Sequence, residues 1–457
     1  MQQSVKTIAV LDNHQVQYSK NHRTFTYELS EPRATISEMM ALAAAIGIDI
    51  LWVAPGSQAS DCTAGAFLSH DEDHLVIYPV RYNSKGEITF LKAYRSAGIA
   101  RRDVYIGFPA HDPRWPWQSL DAKTLLKTNA YIQDALGIAP LWSPGHVSRD
   151  LMNETNAKRP AWIRDPGQLP NEVETIQAHD LSWKDTIDPS HVGSAWLHLY
   201  DKNSAYLGAA TSAYLGAGAP LYSGMTDIVP FDPTIPGLWH ISTDCEAGFY
   251  PRLDHAWLWT PEVAWLVKHA SVEIHRAFYW AEKHQALRPW AERLWSARQA
   301  LNVKMQKPDC MPRYSHAAGR SAAYASIKAI ATQGLGWLAH KPESGATQWY
   351  RPDWWSMIVS EARSKILWKL DSLEKQHYHA VWVNVDELGF ISGDPNPHTA
   401  IPGLTERATQ LGGFKHAYSF KVTHELCAAF LSATKFRHTQ EYLSLLKEDA
   451  DASAVAR

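Results

Sequence analysis

Cysteine is scarce. The 457 residues hold four, Cys62, Cys245, Cys310 and Cys427, with no CxxC pair among them. That spacing excludes a disulfide scaffold or a zinc knuckle and fits reduced thiols. Long hydrophobic runs are also missing, and the start MQQSVKTIAVLDN lacks the apolar centre of a signal peptide. A cytoplasmic protein that does not engage a membrane is expected. No sign of charge dominates: 44 Lys and Arg face 47 Asp and Glu, a net charge of −3. The chain as a whole therefore carries no basic footprint, although a local groove can still be basic. There is no GxSxG elbow, no Walker loop and no HExxH helix, and the glycines of LGAGAP and GLGW are too few and misplaced for a phosphate cradle. The usual hydrolase and NTPase signatures are thus absent.

What is present centres on WLHLYDKNSAYLGAA, Trp196 to Ala210, which reads as an apolar strand, an acid (Asp201), a turn and a helix. A carboxylate at a strand end, followed by the exposed amides of a helix start, suits a divalent cation held beside a phosphate. A second acid comes much later in HYHAVWVNVDELGFIS, His377 to Ser392, where two apolar strands flank the polar tip Asn384, Val385, Asp386, Glu387. That pattern predicts a hairpin tipped with acids. Two carboxylates delivered from distant strands to Mg²⁺ are what two-metal phosphoryl transfer requires. Between them lies YSHAAGRSAAYASIKAIATQGLGWLA, Tyr314 to Ala339, a helix with basic residues able to grip a triphosphate.

In this order the three stretches resemble motifs A, B and C of family B DNA polymerases, whose usual forms are DxxSLYP, KxxxNSxYG and YxDTDS. The resemblance covers about residues 186 to 420. It implies that Asp201, Asp386 and the backbone of Lys202 hold Mg²⁺ or Mn²⁺. Ser204 takes the motif A serine position. Tyr206 matches the tyrosine that closes off the sugar 2′ position, or else is a core aromatic. In motif B, Lys328 takes the lysine position, Thr332 stands where the family has Asn, and Gly336 matches the final glycine. Gln333 and Leu335 replace the family's Ser and Tyr. Lys328, with Arg320 or Arg298, would neutralise triphosphate oxygens. In motif C, Asn384 replaces the first Asp, Asp386 keeps the second, and Glu387 stands for a Ser, as a third ligand or as a turn residue. LGGFKHAYSF, Leu411 to Phe420, resembles the primer-side motif after the palm, with Lys415 as its phosphate contact.

The implied fold class is α/β (α+β): a palm with an antiparallel sheet and helical fingers, preceded by an RNase H-like, exonuclease-like mixed α/β domain, with the thumb reduced. The expected domains are 1–185, an inactive exonuclease-like domain with a connecting region; 186–425, palm and fingers; and 426–457, a short helical tail. The exonuclease motif DxE is missing, because Asp12 ends the first strand but His14 stands two residues on. No proofreading is expected, and the short tail implies distributive synthesis. The cluster His70, Asp71, Glu72, Asp73, His74 reads as a polar turn or as metal ligands. The second SAYLGA, from Ser212, reads as helix, and Asp353 as the cap of the helix WWSMIVSEARSKILWKLDSLEKQ.

The function implied is a template-directed DNA polymerase of family B type that lacks proofreading. It would act on primer-template DNA and dNTPs, serve a phage or other mobile element, and work with a replication partner protein. The alternatives are a catalytically silent pseudo-polymerase serving as a DNA-binding scaffold, favoured by Asn384, Gln333 and Leu335, or a priming polymerase.

Overall fold

Hydrophobic strands and amphipathic helices sort the chain into two units in the computed structural model, one of residues 1–158 with 292–337, the other of 159–291 with 338–457. The structure describes residues 6–455 except 14, 21–22, 30–35, 56, 58–74, 96–102, 179–180, 225–226, 245–256, 303–316, 342–348 and 432. No described helix is long and apolar enough to cross a membrane.

The first unit is built on a seven-stranded mixed sheet in the order β3-β2-β1-β4-β7-β6-β5. Its strands are β1 (Ile8–Asp12), β2 (Gln15–Lys20), β3 (Arg23–Glu28), β4 (Ile50–Val53), β5 (Leu75–Tyr82), β6 (Ile88–Arg95) and β7 (Val104–Gly107). β4 runs parallel to both β1 and β7, and the other pairs are antiparallel. The mixed α/β character matches the sequence expectation. The polar strand β2 is not legible in the pattern QVQYSK, because only Val16 of it is fully buried.

The Trp-rich segment after β7 fills a second core, in which Trp115 stacks on Trp117 at 4.0 Å and both pack edge-on to Trp52. A Cβ on Gly107 would lie 2.2 Å from the Trp52 ring, so only glycine fits there. Most of two further helices, Arg288–Leu301 and Ala317–Ala339, also belongs to this unit. Trp117 Nε1 donates to Ser326 Oγ (2.8 Å), Gln333 accepts from Gly145 N, and Arg293 pairs with Glu154.

The second unit carries a five-stranded, wholly antiparallel sheet. Its strands are β8 (Ser182–Lys184), β9 (Trp196–Lys202), β16 (Ala380–Asn384), β17 (Glu387–Ser392) and β18 (Phe414–Lys421), in the order β18-β9-β17-β16-β8. Strand alternation sends Tyr200, Leu388 and Phe390 to one face, against the helices Thr260–Leu266 and Pro352–Glu374. Leu197 and Leu199 go to the other, against the helices His424–Phe430 and Phe436–Val455. Residues buried on both faces fix the register, since a one-residue slip would invert every side chain. A smaller sheet, β11 (Leu221–Ser223), β12 (Gly237–Thr243), β13 (Trp257–Trp259) and β14 (Val272–Tyr279), shares the first of these cores.

Two expectations are corrected. The second SAYLGA is not helix: Ser212 ends the Ala205–Ser212 helix and Leu215–Gly216 form strand β10, paired with β15 (Lys283–His284). The Trp280 indole lies 2.2 Å from where a Gly216 Cβ would be, so backbone and ring are in contact there. Asp353 does not cap its helix. Pro352 opens it, with Arg351 as the N-cap residue, and the buried Asp353 carboxylate takes a bidentate bond from the buried Arg351 guanidinium (2.9 and 2.5 Å). The guanidinium also bonds the Ile163 and Gly216 carbonyls, which satisfies a charge that would be costly if left bare.

Candidate active site

Strands β9 and β17 pair so that Glu387 lies opposite Asp201, and β18 on the other side of β9 sets Lys415 opposite Asp201. Asp201 is held because the strand before it is anchored by the fully buried Leu197, Leu199 and Tyr200. The next amide, Lys202 N, donates to Asp386 O at 2.8 Å. The two acids, far apart in sequence, thus stand on adjoining backbone.

Both acid turns are strained. Ser204 has φ +54° and Val385, immediately before Asp386, has φ +59°. A left-handed conformation is disfavoured for non-glycine residues and most of all for β-branched ones, at a cost of about 1–3 kcal/mol each. Such strain persists only where surrounding structure enforces it. Here Val385 N is tied to Leu181 O at 2.7 Å and Asp386 O to Lys202 N.

The charges around the acids differ by face. On the face of Leu199, Lys415 Nζ bonds Asp201 Oδ2 at 2.8 Å, with the two side chains 46% and 33% exposed. A pair that open is worth about 0–1 kcal/mol. Glu387 is more enclosed: Lys447 Nζ reaches its two oxygens at 2.9 and 2.7 Å and Trp382 Nε1 donates at 3.0 Å. Glu387 opens β17 rather than lying in the turn, and its carboxylate faces Lys447 of the C-terminal helix. On the opposite face the Lys202 side chain is buried, with Nζ 5.6 Å from the Phe414 ring centroid. Burial brings its pKa down to about 8, helped by the charge of Lys365 and opposed by Glu361 and Asp386. Lys365 in turn bonds Gly208 O, Ser212 Oγ and Glu361.

Tyr206 lies in the first turn of the helix after Asp201, half-buried, with its ring 6.0 Å from that of Trp355. Ser204 precedes that helix and makes no capping bond to it.

The remaining expected residues stand in the first unit. Lys328 and Thr332 are exposed and one turn apart on the Ala317–Ala339 helix, on a stripe with Ser321 and Ala325. Arg298 is buried; its guanidinium donates to Tyr324 Oη at 2.7 Å and lies over that ring. Arg320 donates to Ala300 O. Both arginines therefore tie the two helices together. Gln333 and Leu335, which replace the motif B Ser and Tyr, face inward: Gln333 bonds backbone at Gly145 and Arg114, and Leu335 is buried. At Gly336 a Cβ would meet nothing within 4 Å, so packing does not demand the glycine.

The cluster His70 to His74 lies outside the described residues. Among the described residues, no group of three His, Cys, Asp or Glu side chains is placed to hold a metal. Two carboxylates with a neighbouring backbone carbonyl are nonetheless a donor set that suits Mg²⁺, which keeps several waters and borrows substrate oxygens. The ammonium of Lys415 already holds positive charge against Asp201. Sequence reading misses Lys447 and the Lys202 side chain; both act through long-range pairing that no local pattern signals.

No family model matches the chain, and no curated protein matches it in sequence. Solved structures do. Phi29 DNA polymerase complexed with primer-template DNA and incoming nucleotide substrates is similar over 92% of this chain and 85% of that one, with TM-score 0.52 and 12% identity. Phi29 DNA polymerase complexed with single-stranded DNA is similar over 91% and 85%, with TM-score 0.51 and 11% identity. A family B DNA polymerase from the hyperthermophilic archaeon Pyrobaculum calidifontis covers 91% of this chain and 57% of its own, with TM-score 0.37 and 12% identity. The chain therefore has the fold of a DNA polymerase of the phi29 kind.

Proposed function

We propose that the protein is a template-directed DNA polymerase that extends a primer with dNTPs and lacks proofreading. The observation that carries this reading is the junction of β9 with the β16–β17 turn: Asp201 and Asp386 on adjoining backbone, with the left-handed Val385 immediately before Asp386 and the left-handed Ser204 three residues after Asp201. Asp201, Asp386 and the Lys202 carbonyl would hold Mg²⁺ or Mn²⁺, which when bound neutralises charge on the attacking and leaving oxygens of phosphoryl transfer.

The chain's own groups supply the rest. Lys328 lies on an exposed stripe and would neutralise triphosphate oxygens, with Thr332 one turn on. Arg298 and Arg320 act by holding the helix that carries Lys328. Tyr206, fixed beside Trp355, would exclude a ribose 2′ hydroxyl, and Ser204 shapes the turn that precedes it. Lys415 would exchange its weak pairing with Asp201 for a primer phosphate. Gly336, with open space where a side chain would be, leaves room for nucleic acid to approach the helix. In the first unit Asp12 ends β1, and no acid stands two residues on to complete an editing metal site. The N-terminal 185 residues would then serve as an inactive exonuclease-like domain, with a phage or other mobile element as the natural setting.

Extension of a labelled primed DNA template with Mg²⁺ or Mn²⁺ and dNTPs tests the proposal. Wild type extends, and Asp201→Ala and Asp386→Ala each lose at least about 100-fold, as expected where an electrostatic transition-state contact is removed. A second reading, a DNA-binding scaffold without turnover, is favoured by Asn384 in place of the first motif C acid. It predicts intact DNA binding, no extension, and no effect of either substitution.

A further inference from the structure

The carboxylate directly across the sheet from Asp201 belongs to Glu387, not Asp386. Residues opposed in this way point to the same face with Cβ atoms about 5 Å apart, and two like charges so placed repel. Each is neutralised by a different lysine: Asp201 by Lys415 of β18, and Glu387 by Lys447 of the C-terminal helix Phe436–Val455. The two pairs are not equivalent. The Asp201 pair is open to water, whereas the side chains of Glu387 and Lys447 are only 12% and 25% exposed.

Lys447 is itself placed by that helix. The Phe436 ring stacks on Trp382 at 4.5 Å with the planes 1° apart, and the same indole donates to Glu387. Leu443 is buried in the core beneath. Tyr418 Oη donates to Asp451 at 3.0 Å, and the Tyr418 ring lies 5.7 Å from Lys447 Nζ. Successive turns of the helix thus meet β16, β17 and β18, with Lys447 on Glu387, the residue after Asp386.

We propose that Lys447 is a positioning residue for the acid site. The C-terminal helix acts as a latch, and its ammonium neutralises Glu387 and turns that carboxylate away from the cation position at Asp201 and Asp386. The inference rests on the reading of those two acids as metal ligands. Without Lys447, an uncompensated carboxylate faces Asp201 and becomes a third donor for a divalent ion. The site then changes from two carboxylates, suited to an ion that must also release products, to three that bind it more tightly.

Mn²⁺ titration followed by electron paramagnetic resonance, on the full chain without DNA or nucleotide, tests this. The expected result for Lys447→Met is Mn²⁺ binding tighter by on the order of tenfold, since affinity follows ligand charge count. Lys447→Met combined with Glu387→Gln returns to the wild-type value. Glu387→Gln alone, which leaves the Lys447 ammonium without its partner, binds Mn²⁺ no more tightly than wild type. Weaker binding by the double variant, in which neither charge of the pair remains, would show that Glu387 ligates the ion in wild type and would overturn the latch, as would a Lys447→Met affinity equal to wild type. Mn²⁺ binding in wild type that survives both Asp201→Asn and Asp386→Asn would defeat the polymerase reading separately. Binding gained only on Lys447→Met would uphold the latch, and binding in neither protein would overturn it.

Discussion

At the scale of single residues, the site is defined by where charge is buried and where it is left open. Lys202 follows Asp201 directly, yet strand alternation sends its ammonium into the opposite face, where burial brings its pKa to about 8. A lysine whose folded pKa lies below its unfolded value near 10.5 costs stability when protonated. The unfolded chain binds more protons than the native one between about pH 8 and 10.5, so stability rises with pH across that window. Lys202→Met should therefore stabilise the protein at pH 7 by up to about 3 kcal/mol, with the gain fading from about pH 8 to 10.5. Denaturant unfolding at pH 7 and pH 10 checks this; a gain of equal size at both would remove the charge from the explanation. A protein that keeps such a cost beside its acid site fits the pattern of function retained against stability.

Residue chemistry is only half legible in the sequence. Asp201 and Asp386 can be picked out because each ends or interrupts an apolar run. The ion pairs around them cannot: Lys415 meets Asp201 through strand order, and Lys447 meets Glu387 through helix docking. Asp353 reads as a cap because its bond to the buried Arg351 is invisible in a linear pattern.

At the scale of elements, the strands that carry the acids and the long helices are readable from two-fold and three-to-four-fold periodicity. The exceptions have local causes. β2 alternates polar residues on an edge-proximal strand, and β10 forms where Gly216 yields to the Trp280 ring rather than where helix propensity points. The Ala317–Ala339 helix offers a clean element-level test. Gly336 lies in its interior, and a Cβ added there would meet nothing within 4 Å, so Gly336→Ala should stabilise the folded chain by about 0.5–1 kcal/mol. If that open space admits nucleic acid, the same substitution weakens primer-template affinity. Thermal melting and DNA titration of the one variant separate the two effects, and unchanged DNA affinity would leave the glycine without a functional role.

At the scale of the whole molecule, fold and activity part company. The phi29-type fold is carried by sheets, helices and their order at about one-tenth sequence identity. Activity depends on which acids remain on that fold. In the first unit Asp12 ends β1 and is bonded by the Asn13 side chain, and no acid stands two residues on, so under the proposal above this unit would not edit. The pure protein should leave a mismatched 3′ end undegraded in Mg²⁺; measurable shortening of such a primer would contradict this. If Asp201 and Asp386 of the second unit are the metal ligands proposed above, synthesis without editing is the expected combination.

The central claim is tested most directly by single-nucleotide incorporation on a primed DNA template in the presence of Mn²⁺, with wild type and Asp386→Asn side by side. The account predicts addition of the templated dNTP by wild type, little addition of the mismatched ones, and loss of addition in the variant with DNA binding retained. A wild-type protein that binds the primed template but adds no nucleotide would contradict it.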